Sequence, residues 1–253
     1  MAVNGTLVTE HRREAMVARL TSDGSLQVSE AALEWGVHAM TVRRDFDHFV
    51  NRGIARRVRG GIIALRGDSF KHRRHLNAVA KEAIAQKLLG LVDPASVIAL
   101  DASTTISVFA EHLVDLEDVT IVTNGLPAFH ALRSRQGAHV FLTGGEQEVQ
   151  NDSLVGPLAE AALGHFMIGT AFISTMSFAQ GLGASENTLA QVSFKRALGA
   201  VSQRMVLAID SSKLETQARF RSLELDDIDL LVTELNDSDP RLDPYRDAVE
   251  GIL

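Results

Sequence analysis

The sequence predicts an α/β fold. A small helical N-terminal domain precedes a larger domain with a mostly parallel sheet covered by helices on both faces. Three observations predict it. Residues 28–50 hold two short amphipathic patterns separated by Gly36-Val37-His38-Ala39. From Ala78 onward, apolar runs alternate with helical patterns at the spacing of α/β units. Charge is segregated: residues 1–75 carry 13 Lys and Arg against 8 Asp and Glu, and the remainder carry 12 against 24.

The small domain reads as three helices and a hairpin. Thr9 is a candidate N-cap for the first helix, which buries Met16, Val17 and Leu20 and ends at Gly24. Val28, Ala31, Ala32 and Trp35 stripe the second helix, with Ser29 as its cap and Gly36 as its end. In the third, Val42, Phe46, Phe49 and Val50 fall at i, i+4, i+7 and i+8. Thr41, Arg44, Asp45 and His48 lie opposite that stripe, and Asn51-Arg52-Gly53 stops the helix. Residues 54–58 and 62–65 are strands around Gly60-Gly61, a hairpin wing.

A run of arginines is usually only a solvated face. Here a short helix, a glycine-containing turn and a second helix precede it, the layout of a helix-turn-helix. The net charge of −7 does not oppose this reading, because the local field decides nucleic-acid affinity. The expected DNA contacts are Thr41, Arg43 and Arg44, with His38 at the helix start and Arg57 and Arg59 on the wing. The expected domain is 9–65, followed by a polar, basic linker at 66–77 and an α/β domain at 78–253. His72 and His75 have no carboxylate at ligand spacing, so no metal is expected.

In the larger domain the expected strands are 97–100, 119–122, 140–142, 171–173, 206–209 and 230–232. The expected helices are 105–113, 127–133, 154–163 and 189–201. Ligands of open α/β sheets bind beyond the carboxyl ends of the strands. There the sequence places Asp101, Ser103, Thr104 and Thr105, then Asn124, then Gly144 and Gly145, then Ser174-Thr175-Met176-Ser177, then Asp210 and Lys213. Ser103-Thr104-Thr105 opening a helix suits a phosphate, and Lys195 and Lys213 would supply positive charge. Each motif alone also reads as a cap or turn, and Lys195 as a surface lysine; together they make an anion-binding cleft the better reading.

The composition excludes several classes. Cysteine is absent and hydrophobic residues make up 45%, so there is a real core but no disulfide or thiolate chemistry. No apolar run nears the ~20 residues that span a bilayer, and no signal-peptide layout opens the chain. A cytoplasmic protein without a membrane partner is expected. No GxGxxG, P-loop or Ser/His/acid set appears, so neither a catalytic set nor a cofactor is expected.

VSEAALEWGV, MTVRRDF and RGIARRVRGG resemble the helix-turn-helix signature of the DeoR family of bacterial transcriptional regulators. DASTT, VTN, LTGGE, SLVGPLAEAAL, KRAL and DSSK resemble the sensor-domain motifs of the same family. The resemblance runs from about residue 9 to about 233. It implies a sensor similar in fold to ribose-5-phosphate isomerase, and a repressor controlled by a phosphorylated sugar or related anion. It also implies a dimer or tetramer on operator DNA, and effector contacts at Asp101, Ser103, Thr104, Thr105, Asn124, Gly144, Gly145, Lys195, Asp210 and Lys213. The sequence departs from the family at His38, where Ser is frequent, and at Ser174–Ser177, where Gly-Ala-Asp-Gly is frequent. It also has Gln191 where Glu often stands four residues before the lysine. Two alternatives follow from the same residues: a sugar-phosphate isomerase-like enzyme fused to a DNA-binding head, or a binding module with a vestigial pocket.

Overall fold

The computed structural model describes residues 2–52, 54–64 and 70–253, and side chains for all of these except 2–8, 21 and 22. The chain divides into two units, Met1–Leu76 and Asn77–Leu253.

The first unit opens on α1 (Ala2–Asp23). Thr9 therefore lies inside a helix and does not cap it; no proline in residues 2–8 stops the helix from starting earlier. Gly24 closes α1 at φ +77°. Next come β1 (Ser25–Gln27), α2 (Val28–Glu34) and α3 (Ala39–Asn51). Ser29, the expected cap, sits within α2. The helix enters directly from β1, and the Val28 N–H donates to the Gly60 carbonyl at 2.9 Å, so backbone pairing takes the place of a side-chain cap.

Val42, Phe46 and Phe49 fill the core with Met16, Leu20, Leu26 and Ile62. Asp45 was expected on the solvent face and is instead 1% exposed. Its carboxylate accepts Arg12 Nε at 2.9 Å and Arg13 Nε at 2.7 Å. Two guanidiniums from α1 make burial of that charge tolerable.

The wing is β2 (Ala55–Val58) and β3 (Gly61–Ala64), and β1 joins it in the order β1-β3-β2. A Cβ on Gly61 would lie 2.1 Å from the Leu26 carbonyl oxygen, so only glycine lets β3 approach β1. Gly53 and Leu65, read as helix stop and strand end, lie outside the described residues. The basic stretch read as a linker contains a helix, α4 (Phe70–His75), because Phe70 buries its ring.

The second unit starts with α5 (Ala78–Leu89), which buries Ile84, Ala85 and Leu88. There follow β4 (Val97–Leu100), α6 (Thr104–His112), β5 (Val119–Thr123), α7 (Leu126–Leu132) and β6 (Ala138–Leu142). A small hairpin, β7 (Glu146–Glu148) and β8 (Ser153–Val155), leads to α8 (Pro157–Leu163). The helix expected from 154 thus starts three residues later, after Gly156 at φ +88°. The chain continues through β9 (Ile168–Ile173), β10 (Ser177–Ala179), β11 (Gly183–Glu186), α9 (Leu189–Val201) and β12 (Ser202–Ala208). It ends with β13 (Phe220–Leu223), β14 (Leu230–Val232) and β15 (Gly251–Ile252).

Seven strands form one parallel sheet in the order β15-β14-β12-β9-β4-β5-β6. Side chains alternate between its faces. Ile98, Leu100, Phe172, Val206 and Val232 pack with Ile84, Phe109 and Leu132 of α5, α6 and α7. Ala99, Ala171, Ile173, Leu207 and Leu231 pack with Leu163, Phe194 and Leu198 of α8 and α9. Helices therefore cover both faces, as the near-continuous apolar strands demand. The strand order reverses about β4: later strands add on the β5 side first, then on the β9 side. The carboxyl ends of β4 and β9 flank that reversal.

Candidate nucleic-acid interface and effector site

In the first unit the exposed side of α3 and the wing carry Arg43, Arg44, Arg56, Arg57 and Arg59, all exposed, with Thr41 half-buried. His38 is the N-cap of α3: its Nδ1 accepts the Met40 N–H at 3.2 Å. His38 stands where Ser is frequent in the resembled family, and its ring nitrogen, two residues ahead of the amide, reaches it as a shorter side chain would. That leaves Nε2 as the remaining polar edge. Arg57 is not a free cation. Its Nη2 donates to the Arg43 carbonyl at 3.0 Å and to the Asp47 carboxylate, tying the wing to α3. Arg43, Arg44, Arg56 and Arg59 have no side-chain partner among the described residues, so they are available to phosphates and base edges.

In the second unit the candidates fall into connected groups. Asp101, at the end of β4, is fully buried. Its Oδ1 accepts the Ser103 N–H at 2.9 Å, and its Oδ2 accepts the Ser174 N–H at 3.0 Å from the end of β9. Lys195 Nζ lies 3.0 Å from Asp101 Oδ2 and 3.0 Å from Glu186 Oε1. Burial alone would lower the lysine pKa, but the Glu186 and Asp101 carboxylates outweigh it and raise it. Lys195 is therefore neither the surface lysine nor the free cation that the sequence allowed: two carboxylates already claim it.

Lys213 is different. Its Nζ donates to Ser174 Oγ at 3.1 Å, and burial lowers its pKa against the pull of Asp210, Glu186 and Asp101. Asp210 caps the short 3-10 turn Ser211–Lys213 and accepts Asn77 Nδ2 at 2.7 Å.

Ser103 caps α6, accepting the Ile106 N–H at 3.2 Å. Thr104 and Thr105 are buried in the first turn, where backbone amides have no intrahelical acceptor. Thr105 Oγ1 has no hydrogen-bond partner. Asn124 Nδ2 donates to the Leu154 carbonyl at 3.0 Å, while its Oδ1 is buried and unpartnered. Gly144 and Gly145 take φ +76° and +114°. A Cβ on Gly145 would lie 2.5 Å from the Val155 carbonyl oxygen, so the loop after β6 closes onto β8 only with glycine.

Sequence reasoning missed Glu186 and the cluster around Glu148. Half-buried Glu148 accepts Thr188 Oγ1 and Asn151 Nδ2 at 2.7 Å, Gln191 Nε2 at 2.5 Å and Ser153 Oγ at 3.1 Å. Burial would raise its pKa, but these hydrogen bonds lower it. The signal for Glu186 was present: Lys195 lies on the apolar side of α9 between Phe194 and Leu198, and a lysine there requires a buried acid. Gln191, the departure from Glu, supplies a donor to Glu148 where a carboxylate would repel it.

A winged helix-turn-helix with arginines unpartnered among the described residues, followed by an α/β unit with orphaned polar atoms beyond its strand ends, defines a DNA-binding regulator with a small-molecule sensor. Residues 12–66 match the DeoR-like helix-turn-helix domain, and residues 76–235 the DeoR C terminal sensor domain. The chain is 31% identical to the L-fucose operon activator of Haemophilus influenzae, over 88% of this chain and 91% of that protein. It is 28% identical to the lactose phosphotransferase system repressor of Streptococcus mutans, over 95% and 98% respectively. The chain belongs to the DeoR family and is a transcriptional regulator. A solved ribose 5 phosphate isomerase A from Neisseria gonorrhoeae matches at TM-score 0.38 and 16% identity, over 54% of this chain and 53% of its own. None of the helices described is long and apolar enough to cross a membrane.

Proposed function

We propose that a phosphorylated sugar, bound beyond the strand ends of the second unit, sets the affinity of residues 9–65 for operator DNA. The observation that carries this is the pair of buried, unpartnered atoms Thr105 Oγ1, in the first turn of the helix that follows β4, and Asn124 Oδ1, directly after the adjacent strand β5. Orphaned buried polar atoms are rare and costly, so a ligand with donors and acceptors is the natural partner. The phosphate meets the amides of Thr104 and Thr105 at the start of α6 and the Lys213 ammonium. Sugar hydroxyls meet Asn124 Oδ1 and the loop at Gly144-Gly145. Asp101, Lys195 and Asp210 hold the walls. Two relatives are named for fucose and lactose systems, which supports a sugar-derived effector.

On DNA, Thr41, Arg43, Arg44 and His38 read the major groove, and Arg59 grips the backbone from the wing. The regulator is a cytoplasmic homo-oligomer, which requires a repeated or pseudo-palindromic operator, and it represses. It is a sensor and not an isomerase: Lys195 is held by both Asp101 and Glu186 and is not free to move a proton. The test is a melting series of the full chain with phosphorylated pentoses and hexoses, followed by assay of the mixtures for isomerised product. A ligand bound only by the folded state raises its melting temperature. The proposal expects a shift with at least one sugar phosphate, a smaller shift in Asn124→Ala, and no turnover. No shift with any of them, or conversion of one, refutes it.

A further inference from the structure

We propose that Asn77 is a positioning residue that carries the state of the effector loop into the chain leading to the DNA-binding unit. The proposal rests on the effector site argued above. Asn77 is the N-cap of α5, yet its side chain makes no capping bond. Instead Nδ2 donates to Asp210 Oδ1 at 2.7 Å and to Ser212 Oγ at 2.9 Å. Its backbone sits in the left-handed region at φ 51°, ψ 39°, which costs free energy in a residue with a Cβ unless its surroundings hold it there. An asparagine that leaves its own helix uncapped to bond residues 133 and 135 positions away serves the distant loop, not α5.

That loop is continuous with the effector site. Asp210 Oδ1 also accepts the Ser212 N–H at 3.3 Å and the Ser212 hydroxyl, and the Asp210 carbonyl accepts the Lys213 N–H at 3.0 Å. Lys213 Nζ reaches Ser174, whose N–H is held by Asp101. One run of hydrogen bonds thus joins Asp101 to Asn77. An anion that draws the Lys213 ammonium off Ser174 shifts the 3-10 turn, and an open cavity of about 470 Å³ between that turn and α5 gives it room. As the turn shifts, Asn77 loses its two acceptors and the reason for its left-handed backbone. Asn77 follows α4 with only Leu76 between them, so a change in its φ and ψ redirects the chain at 70–76. An effector acts only through different affinities for the two arrangements, and Asn77 is where they diverge.

The test compares full-length wild type with Asn77→Gly, Ser212→Ala and the double variant. Glycine keeps the positive φ while removing the amide. Amide hydrogen exchange over residues 70–76 is read without ligand. Loss of about one net hydrogen bond predicts a rise of about fivefold in Ser212→Ala, far away in sequence, a similar rise in Asn77→Gly, and no further rise in the double variant. Unchanged exchange at 70–76 in Ser212→Ala overturns the proposal whatever the effector is. The second readout is affinity for a duplex selected from a random pool on the wild type, with and without D-ribose 5-phosphate or whichever phosphorylated sugar shifts the wild-type melt. Asn77→Gly is expected to keep that melting shift and lose most of the change in DNA affinity; a response equal to wild type overturns the latch. If no sugar phosphate shifts the wild type, the effector reading fails on its own and the exchange result alone decides the latch.

Discussion

Replacing Lys195 by Met tests the buried charge triad at the centre of the sensor. The side chain keeps its apolar length and loses its charge. It is 3% exposed, and the two carboxylates it faces are 0% and 4% exposed. Asp101 keeps two backbone donors, whereas Glu186 loses its nearest cation. Breaking a buried ion pair by removing one partner costs about 3–5 kcal/mol. For a unit of this size each kcal/mol moves the melting temperature roughly 2–4 °C, so the sensor transition falls by about 6 to 20 °C. The pH dependence has a definite sign. The lysine pKa is raised on folding, so its stabilisation is fully present below the ordinary lysine value and is lost only as pH rises through the raised one. The wild type gains or loses nothing from it between pH 5 and 8. In the variant, protonation of a stranded carboxylate relieves the repulsion, so its deficit shrinks as pH falls from 8 to 5. Calorimetry of full-length wild type, Lys195→Met and Lys195→Met/Glu186→Gln reads all of this. The double variant recovers at least half the deficit, since an amide needs no counter-charge. A single variant melting within two degrees of wild type, or a deficit that grows toward low pH, would refute the reasoning.

Three further outcomes are expected. Arg44→Ala loses about 1–3 kcal/mol of preference for a selected operator over random duplex while melting as the wild type does; binding assays on both duplexes check this. Arg57 holds the wing to α3, so Arg57→Ala lowers that preference but leaves the slope of log affinity against log salt near wild type, whereas Arg59→Ala lowers the slope by about one. A slope lowered equally in both would show Arg57 to be a phosphate contact. Burial, with Arg13 and Arg52, lowers the His48 pKa against the opposing pull of Asp45; burial, with Arg52, Arg74, His48 and His72, lowers that of His75. The unfolded chain therefore takes up protons near pH 6.5 that the folded unit resists. The melting temperature of the N-terminal unit falls as pH drops below that value, and falls less in His48→Gln.

Much of this arrangement is legible in the residues. Strands 97–100 and 230–232 and helix 189–201 fall where apolar periodicity puts them. β9 and β12 extend beyond their apolar runs, because Gly169-Thr170 and Ser202-Gln203 pair through the backbone without an apolar signal. The antiparallel sheet β10-β11-β13 was illegible: Ser177-Phe-Ala, Gly183-Ala-Ser-Glu and Phe220-Arg-Ser-Leu are short, polar in part and joined only by tertiary pairing. Asp45 read as exposed because helical spacing knows nothing of Arg12 and Arg13, more than thirty residues earlier. Among the effector candidates, the strand-end rule placed Asp101, Asn124, Asp210 and Lys213 just beyond strands of the sheet, where the structure has them. It could not find Glu186 or Asn77, whose contacts are with partners remote in sequence.

The most direct measurement is the affinity of the full chain for its selected operator, titrated with each phosphorylated sugar that raises its melting temperature. Control of DNA binding from the strand-end site predicts that at least one of them changes operator affinity by fivefold or more, an effect that requires a higher sugar concentration in Asn124→Ala. Sugars that stabilise the sensor while operator affinity stays constant throughout the titration would contradict it.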